Sequence, residues 1–333
     1  MNARRLISRQ VRQMELERFD PGRTPDDGVL VRNDFSAVSV GTETWTWIHG
    51  AEPGQEPLFP RTTGYCNCGT VLAVGSQVTD VQPGDRVAGQ GNHASHSILR
   101  KPYNRVPDGV PSQHAALLTM AAIALHGIRV AKVQLGEGVA VVGLGLVGQF
   151  ALSLAKLAGA MPLIAIDLDD FRLDKAVERG ADVVINPTRG REETVVEQIR
   201  ALCVGDGADA VLECTGKPGV YPLAARLART AGRLVAVGSP RGSVDFDFLR
   251  DVHLREVSIL GAFHPATPQQ SHIYYPWTKE RDRDLLLQLM AVGRLPVADL
   301  ITHIIQPDEC QSVYTMLADN PQNVLGVLFD WRA

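Results

Sequence analysis

The chain has 333 residues, of which 45% are hydrophobic and 21% charged, and its formal net charge is −4. These values exclude a disordered or fibrous protein and show no basic surplus of the kind that nucleic-acid binding requires. At roughly 100–200 residues per domain, the length favours two domains. Five cysteines are too few for a disulfide framework and favour a reducing compartment. No N-terminal signal pattern or membrane-length apolar run is found, so the sequence predicts a cytoplasmic protein without a membrane or nucleic-acid partner.

The first 121 residues are predicted to form a β domain. Short Val-rich runs such as Gly28–Arg32 and Gly69–Val74 are separated by turn signals such as Pro83-Gly84-Asp85. Several short strands at this spacing are typical of a barrel-like domain. The segment 278–333 contains a predicted helix, Asp282–Val292, followed by short strands. We expect this segment to complete the first domain.

Strands and helices alternate between residues 122 and 277. The predicted strands are Val139–Val142, Leu163–Ile166, Val183–Ile185, Ala210–Leu212, Leu234–Val237 and Val257–Leu260. The predicted helices between them are Val147–Ala158, Phe171–Arg179, Glu192–Leu202 and Val220–Thr230, with Gly159, Gly180 and Gly232 at the expected helix ends. Nearly continuous apolar strands are typical of a parallel sheet covered on both faces. The pattern predicts an α/β domain with a doubly wound, six-stranded parallel sheet.

A glycine-rich motif connects the first of these strands to its helix and reads Gly143-Leu144-Gly145-Leu146-Val147-Gly148. Gly143 allows the tight turn, Gly145 lets the backbone approach a pyrophosphate, and Gly148 lets the helix pack against the sheet. Leu146 and Val147 begin the helix whose free N–H groups bind the phosphates. The alternative is a coincidental glycine turn in a nucleotide-free sheet. The strand before the motif and the helix after it favour a dinucleotide site.

The second strand of the alternating region ends in Asp167, about 20 residues after the last glycine of the motif. A carboxylate there accepts hydrogen bonds from the adenosine ribose hydroxyls and repels a 2′-phosphate. The sequence therefore predicts NAD rather than NADP as the cofactor. Arg172 is a candidate contact to the adenine, with a helix-surface charge as the alternative.

Three later strand ends are further candidates for the cofactor site. Ligands bind at the carboxyl edge of a parallel sheet, and small residues lie at that edge in this sequence, although they also occur in plain turns. The candidates are Cys214, Thr215, Gly238, Ser239 and Gly261.

Taken together, these motifs resemble the medium-chain dehydrogenase/reductase superfamily, often described as zinc-type alcohol dehydrogenases. The resemblance extends over nearly the whole chain and includes Gly41-Thr42-Glu43, Gly69-Thr70-Val71, Pro83-Gly84-Asp85-Arg86-Val87 and Leu125-His126. It implies a GroES-like β-barrel catalytic domain over 1–121, completed by 278–333, and a Rossmann domain over 122–277. It also implies a small-molecule substrate and a homodimer or homotetramer.

Family members that bind catalytic zinc take its ligands from three places, and this sequence departs from the pattern at all three. Val40 replaces a Cys, Tyr65 replaces a His, and Thr119 replaces a Cys or Glu. None of the three is an ordinary zinc ligand. The structural zinc lobe needs four cysteines, and there is no cysteine between Ala88 and Val110. We therefore expect no zinc in either family site.

A different metal site is an alternative, since Cys66, Cys68, His93 and His96 offer sulfur and nitrogen ligands. The other interpretation is that the cysteines are small buried hydrophobes and the histidines are ordinary polar residues. The spacing favours the second interpretation, so the sequence predicts no bound metal.

Without a metal, a general acid or base must move the proton. The candidates are Tyr65, which replaces a zinc ligand, His93, which titrates near neutrality, and Thr42, at the family's proton-relay hydroxyl position. For Tyr65 the equal alternative is that it fills the space left by the metal. For His93 the equal alternative is a hydrogen-bonded structural histidine. Glu43 is interpreted as a structural carboxylate rather than a base.

The candidate substrate-pocket residues are Trp45, Trp47, Thr119 and His264. The sequence as a whole predicts a zinc-independent, NAD-dependent oxidoreductase for a secondary alcohol or ketone. The chain most resembles superfamily members that have a Ser/Ala-Gly-Thr-Glu variant in place of the zinc-binding Cys motif, and this resemblance implies a polyol or sugar-derived substrate. One alternative is a zinc-free enone or quinone reductase, against which Asp167 argues. The other is a non-catalytic nucleotide-binding protein, against which the intact cofactor motif argues.

Overall fold

The elements of the fold come from a computed structural model, which describes residues 2–332. The strands are β1 (Ala3–Ser8), β2 (Glu15–Phe19), β3 (Gly28–Ala37), β4 (Arg61–Thr62), β5 (Asn67–Val74), β6 (Arg86–Gly89), β7 (His96–Arg100), β8 (Asn104–Arg105), β9 (Val139–Val142), β10 (Leu163–Ile166), β11 (Val183–Ile185), β12 (Ala208–Glu213), β13 (Ala228–Ala236), β14 (Ser258–Gly261), β15 (Ile301–Ile305) and β16 (Gly326–Asp330). The helices are α1 (Val40–His49), α2 (Ser112–Ala115), α3 (Leu118–Ala131), α4 (Leu146–Ala158), α5 (Asp170–Glu178), α6 (Glu192–Leu202), α7 (Tyr221–Leu227), α8 (Phe248–Asp251), α9 (Lys279–Ala291) and α10 (Cys310–Asp319).

The chain forms two units, and its two ends belong to the same one. The first unit comprises the residues up to Ala122 and those from Pro268 onward, and the second comprises Ile123–Thr267. The sequence placed the return to the first domain at 278, ten residues later. Residues 268–277 lie with the first unit because Lys279 N–H donates to Pro268 O at 2.9 Å and the Arg281 guanidinium stacks on Trp277 at 4.3 Å.

The first unit is built on a seven-stranded sheet in the order β15-β16-β3-β5-β6-β8, with β7 also pairing with β3. Its pairs are antiparallel except β15 with β16. A second sheet has the order β2-β1-β4. Apolar side chains of the larger sheet form one core under Tyr103, including Val29, Val31, Val71 and Leu99. The predicted β domain is confirmed.

Helix α1, which carries the candidate pocket residues Trp45 and Trp47, is not among the elements predicted from the sequence. The helix ends at Gly50, whose φ of +79° is the left-handed conformation that favours glycine. Its inner face carries Trp47, whose ring lies 6.0 Å from that of Tyr314 on α10, a helix that the sequence analysis also missed. Helix α1 is stabilised by its burial against α10, which is distant in the sequence, so local sequence patterns do not predict it.

The second unit contains a six-stranded sheet in the order β11-β10-β9-β12-β13-β14, in which every pair is parallel. The predicted doubly wound sheet is therefore confirmed. The strand order reverses between β9 and β12, and ligands bind at such a reversal. The sheet therefore brings the glycine motif after β9 next to the turn after β12.

One predicted helix of the second unit is too long. The prediction extended it to Thr230 and placed its end at Gly232, but α7 ends at Leu227 and Gly232 lies inside β13. The pairing of β12 with β13 is irregular at this point. A Cβ added at Gly232 would lie 2.8 Å from Arg229 O and 3.2 Å from Ala208 O, so the glycine permits a close backbone approach. Over residues 2–332, no helix combines the length and the hydropathy that a membrane span requires.

Candidate cofactor and active site

The glycine motif after β9 has the geometry of a phosphate-binding turn. Gly143 has a φ of +86°, and a Cβ added at Gly148 would lie only 1.9 Å from Gly143 O. A Cβ added at Gly145 would meet nothing within 4 Å. Helix α4 starts directly after Gly145, and no side chain caps its N-terminus. The turn therefore leaves open backbone and helix N–H groups on the side where a phosphate binds.

Asp167, at the end of β10, is hydrogen-bonded to the glycine motif. Its Oδ2 accepts from Leu144 N at 2.5 Å, and its Oδ1 accepts from Asp169 N at 3.0 Å. The Arg172 guanidinium lies 3.9 Å from the same Oδ2. Each carboxylate oxygen has a second lone pair left for a hydroxyl group.

Gln149 belongs to this region and was missed by the sequence analysis. Its side chain is fully buried, and its Nε2 donates to Arg172 O at 2.8 Å and to Leu144 O at 3.3 Å. Gln149 therefore joins the glycine motif to the start of α5. Its position in the first turn of α4, after the last glycine, is the only sequence signal for this role.

The turns after β12 and β13 pack directly against the glycine motif. A Cβ added at Gly143 would lie 2.5 Å from Thr215 Cγ2, and one added at Gly238 would lie 2.4 Å from Gly216 N. The structure thus gathers Cys214, Thr215, Gly238 and Ser239 near the motif. Gly261 ends the outermost strand β14, one strand farther away.

Glu213, which ends β12, is a second functional candidate that the sequence analysis missed. Its carboxylate is buried and accepts from Thr215 N at 2.7 Å, from Gly216 N at 3.2 Å and from the Thr215 hydroxyl. Burial raises its pKa, and these hydrogen bonds offset part of the rise. Glu213 therefore fixes the turn that packs against the glycine motif.

Tyr65 and Thr42 come together in the first unit. The Tyr65 hydroxyl donates to Ser39 Oγ, and the Thr42 side chain is a further hydrogen-bond partner. The Tyr65 ring is half-buried. Burial and the nearby Glu43 carboxylate raise the pKa of Tyr65, so the side chain is a neutral phenol at neutral pH. A phenol of this kind can donate a proton.

The structure does not join His93 to Tyr65. The His93 ring is fully buried, with Nδ1 2.7 Å from Ser36 Oγ and Nε2 2.9 Å from Glu43 Oε2. The Phe329 ring packs against it at 5.2 Å. With both ring nitrogens engaged inside the core, His93 has the contacts of the structural histidine that the sequence analysis gave as the alternative.

Glu43 is the centre of this buried network. Besides His93, it accepts from Tyr314 Oη at 2.5 Å, from Thr63 Oγ1 at 2.8 Å and from Ser39 N at 2.8 Å. Burial raises the pKa of Glu43, but the His93 charge and these hydrogen bonds outweigh it and hold the pKa below its usual value. Tyr314 is 271 residues away in the sequence, so no local pattern could have predicted this contact.

The four candidate pocket residues have different surroundings. Trp47 is buried in the core beside Tyr314. Trp45 is partly exposed and stacks on His49 at 4.1 Å. His264 is buried in the second unit, with its ring 6.3 Å from that of His126. Thr119 is buried and accepts a hydrogen bond from the Arg283 guanidinium at 3.2 Å.

Comparison with known proteins agrees with this geometry. Residues 25–110 match the alcohol dehydrogenase GroES-like domain, and residues 147–277 match the zinc-binding dehydrogenase family. D-guloside 3-dehydrogenase of Escherichia coli K12 is 31% identical over 242 residues, which cover 71% of this chain and 68% of that protein. The chain belongs to the medium-chain dehydrogenase/reductase superfamily. It is therefore an oxidoreductase.

Two further proteins extend the comparison over almost the whole chain. Sorbitol dehydrogenase of Bombyx mori is 27% identical over 323 residues, covering 87% of this chain and 88% of that protein. A protein of Sinorhizobium meliloti 1021 assigned as a zinc-binding dehydrogenase, with NADP in its structure, superposes with a TM-score of 0.82 at 22% identity and covers 99% of both chains. At this identity the second likeness shows the fold alone.

The superfamily's catalytic zinc does not fit the side chains of this member. The Val40 side chain has no atom that could bind a metal ion. The Tyr65 hydroxyl is hydrogen-bonded to Ser39, and the Thr119 hydroxyl is hydrogen-bonded to Arg283. Cys66 and Cys68 are buried with different neighbours, Thr119 and Ser112. Across residues 2–332, no three His, Cys, Asp or Glu side chains are grouped closely enough to hold a metal ion.

The superfamily's dinucleotide does fit the residues present. The space beside Gly145, the uncapped start of α4 and the Asp167 carboxylate are the features that would hold a pyrophosphate and a ribose. In this member, Leu146 and Val147 form the first turn of α4 below that space.

Proposed function

We propose that this protein is a zinc-independent, NAD-dependent dehydrogenase that interconverts a secondary alcohol and a ketone. The observation that carries the proposal is a tyrosine hydroxyl, hydrogen-bonded to Ser39 and near Thr42, at a position where zinc-binding relatives have a metal ligand. A positioned acid of this kind can replace a metal ion in the proton transfer. The similarity to a guloside dehydrogenase and a sorbitol dehydrogenase supports a polyol or a sugar derivative as the substrate.

The choice of NAD rests on Asp167. Its carboxylate is fixed beside the glycine motif by Leu144 N and Asp169 N. A fixed negative charge at this site favours ribose hydroxyls and disfavours a phosphate group. The Arg172 guanidinium lies 3.9 Å from Asp167 and 3.7 Å from Asp169, so these two carboxylates compete with a 2′-phosphate for its positive charge.

The chain's own residues would then handle the proton. When bound, the nicotinamide cofactor accepts or donates the hydride. In ketone reduction, the Tyr65 phenol donates its proton to the substrate oxygen, and the hydroxyl groups of Ser39 and Thr42 are placed to replace it. In alcohol oxidation, the same oxygen of Tyr65 must accept a proton. Because burial raises the Tyr65 pKa, we expect the oxidation rate to increase with pH.

A substrate screen tests this proposal. Purified protein would be assayed with NAD⁺ and with NADP⁺ against polyols, sugars, glycosides and simple secondary alcohols, and its zinc content would be measured in the same preparation. We expect turnover with NAD⁺ on a polyhydroxylated substrate and zinc well below one ion per chain. No turnover with any substrate, or a strict requirement for NADP⁺, would refute the proposal.

A further inference from the structure

Arg283, on α9, is a fully buried arginine in the first unit. Its Nε donates to Asn104 Oδ1 at 2.6 Å, its Nη1 to Thr119 Oγ1 at 3.2 Å and its Nη2 to Ala88 O at 3.2 Å. All three acceptors are neutral. A buried guanidinium is normally paired with a carboxylate, because removing a lone charge from water is costly.

No carboxylate of residues 2–332 forms an ion pair with Arg283. Asp284 is the carboxylate that acts on Arg283 electrostatically, and Asn104, which Arg283 contacts, donates from Nδ2 to Asp284 at 2.7 Å, so the asparagine separates the two charges. Burial lowers the pKa of Arg283 to about 10, which leaves the guanidinium protonated at neutral pH. A positive charge is therefore held inside the first unit without a direct counter-ion.

The Arg283 charge lies beside residues that occupy or adjoin the superfamily's zinc-ligand positions. Thr119 occupies the third of these positions. Cys66 directly follows Tyr65, which occupies the second. The electrostatic field of Arg283 acts on Cys66, and the Thr119 hydroxyl is a hydrogen-bond partner of the same thiol. The guanidinium group thus contacts the residue at one of the three zinc-ligand positions and acts on the neighbour of a second.

The hydrogen bonds also fix the direction of the Thr119 hydroxyl. A guanidinium has no acceptor, so Thr119 Oγ1 must accept from Arg283 and its own O–H must donate elsewhere. Its described partner is the Cys66 sulfur, a weak acceptor whose pKa burial raises so that it remains a neutral thiol. A hydroxyl group that accepts a hydrogen bond from a cation is itself a stronger donor. An oxygen atom is a better acceptor than a thiol and can therefore replace Cys66 as the partner of the Thr119 O–H group.

We propose that Arg283 and Thr119 together replace the metal ion as the electrophile of the reaction: the Thr119 hydroxyl, polarised by the Arg283 guanidinium, donates to the substrate's carbonyl or alkoxide oxygen. Arg283 is then a positioning residue and Thr119 the group that touches the substrate. The pair stabilises the negative charge that develops on that oxygen during hydride transfer. This inference rests on the proposed function and specifies how the same site manages without zinc.

The test uses steady-state kinetics in the alcohol-oxidation direction, with the substrate found in the screen and saturating NAD⁺. Thr119→Val keeps the shape but removes the hydroxyl, and we expect kcat to fall by about 100-fold, as for the loss of an oxyanion-hole donor. Thr119→Ser should restore most of that loss. Arg283→Lys keeps the charge and should lose less than Arg283→Met. In Thr119→Val, the pH at which oxidation reaches half its maximum should rise by about one unit or more, a shift that a merely structural residue would not produce.

Two matched controls accompany the test, Thr315→Val on the exposed face of α10 and Arg281→Met on the same helix as Arg283; both should retain wild-type kinetics. NADH affinity should stay within about twofold in Thr119→Val, because the glycine motif lies in the second unit. If Arg283→Met does not fold, the comparison of Thr119→Val with Thr119→Ser decides. An active wild type with an unchanged kcat and pH profile in Thr119→Val would overturn this inference alone, whereas an inactive wild type would overturn the proposed function.

Discussion

His93 Nε2 lies 2.9 Å from Glu43 Oε2, and both side chains are almost completely buried. The contact joins the segment between β6 and β7 to helix α1, and hydrogen bonds of His93 with Ser36 and of Glu43 with Tyr314 extend it on both sides. Breaking a buried hydrogen bond to a carboxylate from one side is destabilising, because the remaining polar group keeps its desolvation cost without a partner. We therefore expect the contact between His93 and Glu43 to stabilise the first unit.

Stability should depend on this pair in a defined pH range. The folded-state pKa of Glu43 is below its ordinary value of 4.5, so its contribution is present above that value and is lost as the pH falls through the lowered pKa. We expect Glu43→Gln to reduce the free energy of unfolding at pH 7 by about 1–3 kcal/mol, because the amide is a weaker acceptor for the groups that donate to Glu43. The decline of stability below the ordinary pKa should also become less steep. Chemical denaturation between pH 3 and pH 8 measures both effects.

The exposed Glu56→Gln serves as the control for that experiment and should match the wild type. If Glu43→Gln were as stable as the wild type over the whole pH range, the network around Glu43 would not have the role assigned to it.

Tyr65→Phe should show that the Tyr65 hydroxyl acts in proton transfer and not in NADH binding. The substitution removes the hydroxyl that contacts Ser39 and keeps the half-buried ring. We expect kcat to fall by about 100-fold or more, typical of losing a general acid, while NADH affinity stays unchanged. Tyr274→Phe, at a tyrosine that is 85% exposed, is the control. Stopped-flow turnover together with NADH titration makes the comparison, and equal rates for Tyr65→Phe and wild type would remove Tyr65 from the mechanism.

Gly145→Ala should leave the fold intact and weaken the cofactor site. Gly145 has a φ of −61°, which alanine also adopts, and its added Cβ would meet no atom within 4 Å. The melting temperature should therefore be close to that of the wild type. Since the new methyl group would occupy the space where the pyrophosphate approaches, we expect NADH affinity to fall at least about tenfold.

Gly219→Ala, another open glycine of the same unit, is the matched control and should change neither quantity. Wild-type NADH affinity in Gly145→Ala would mean that the dinucleotide does not approach this backbone.

Asp167→Asn should reduce the preference of the protein for NADH over NADPH. The amide keeps the size of the side chain but removes the charge, and it gives Leu144 N a weaker acceptor. We expect the affinity for NADH to fall by about tenfold and that for NADPH to fall less or to rise. Isothermal titration with both cofactors measures the ratio, with Asp174→Asn, on the exposed side of α5, as control. An unchanged ratio would refute the role of Asp167 in cofactor choice.

The second unit was the easier part to predict from sequence. Apolar runs and glycine turns are local signals, so β9, β10, β11 and α6 have the predicted bounds. Helix α7 was predicted too long because its end depends on pairing between β12 and β13. The glycine motif and Asp167 were likewise found from spacing alone.

The first unit was harder because its decisive contacts are remote in sequence. The partners of Glu43 include Tyr314, and the partner of Thr119 is Arg283, 164 residues away. A sequence shows which residue types replace zinc ligands at Val40, Tyr65 and Thr119, but only the fold shows what surrounds them. For the same reason, His93 was a candidate acid or base from the sequence, whereas in the structure both nitrogens of its ring contact Ser36 and Glu43.

The central claim, catalysis with NAD and without zinc, is tested most directly by one measurement: the rate of NAD⁺ reduction by purified protein of known zinc content, before and after dialysis against a chelator. We predict that zinc is far below one ion per chain and that the rate is unchanged by dialysis. A full equivalent of zinc, whose removal abolishes the rate and whose return restores it, would contradict the account.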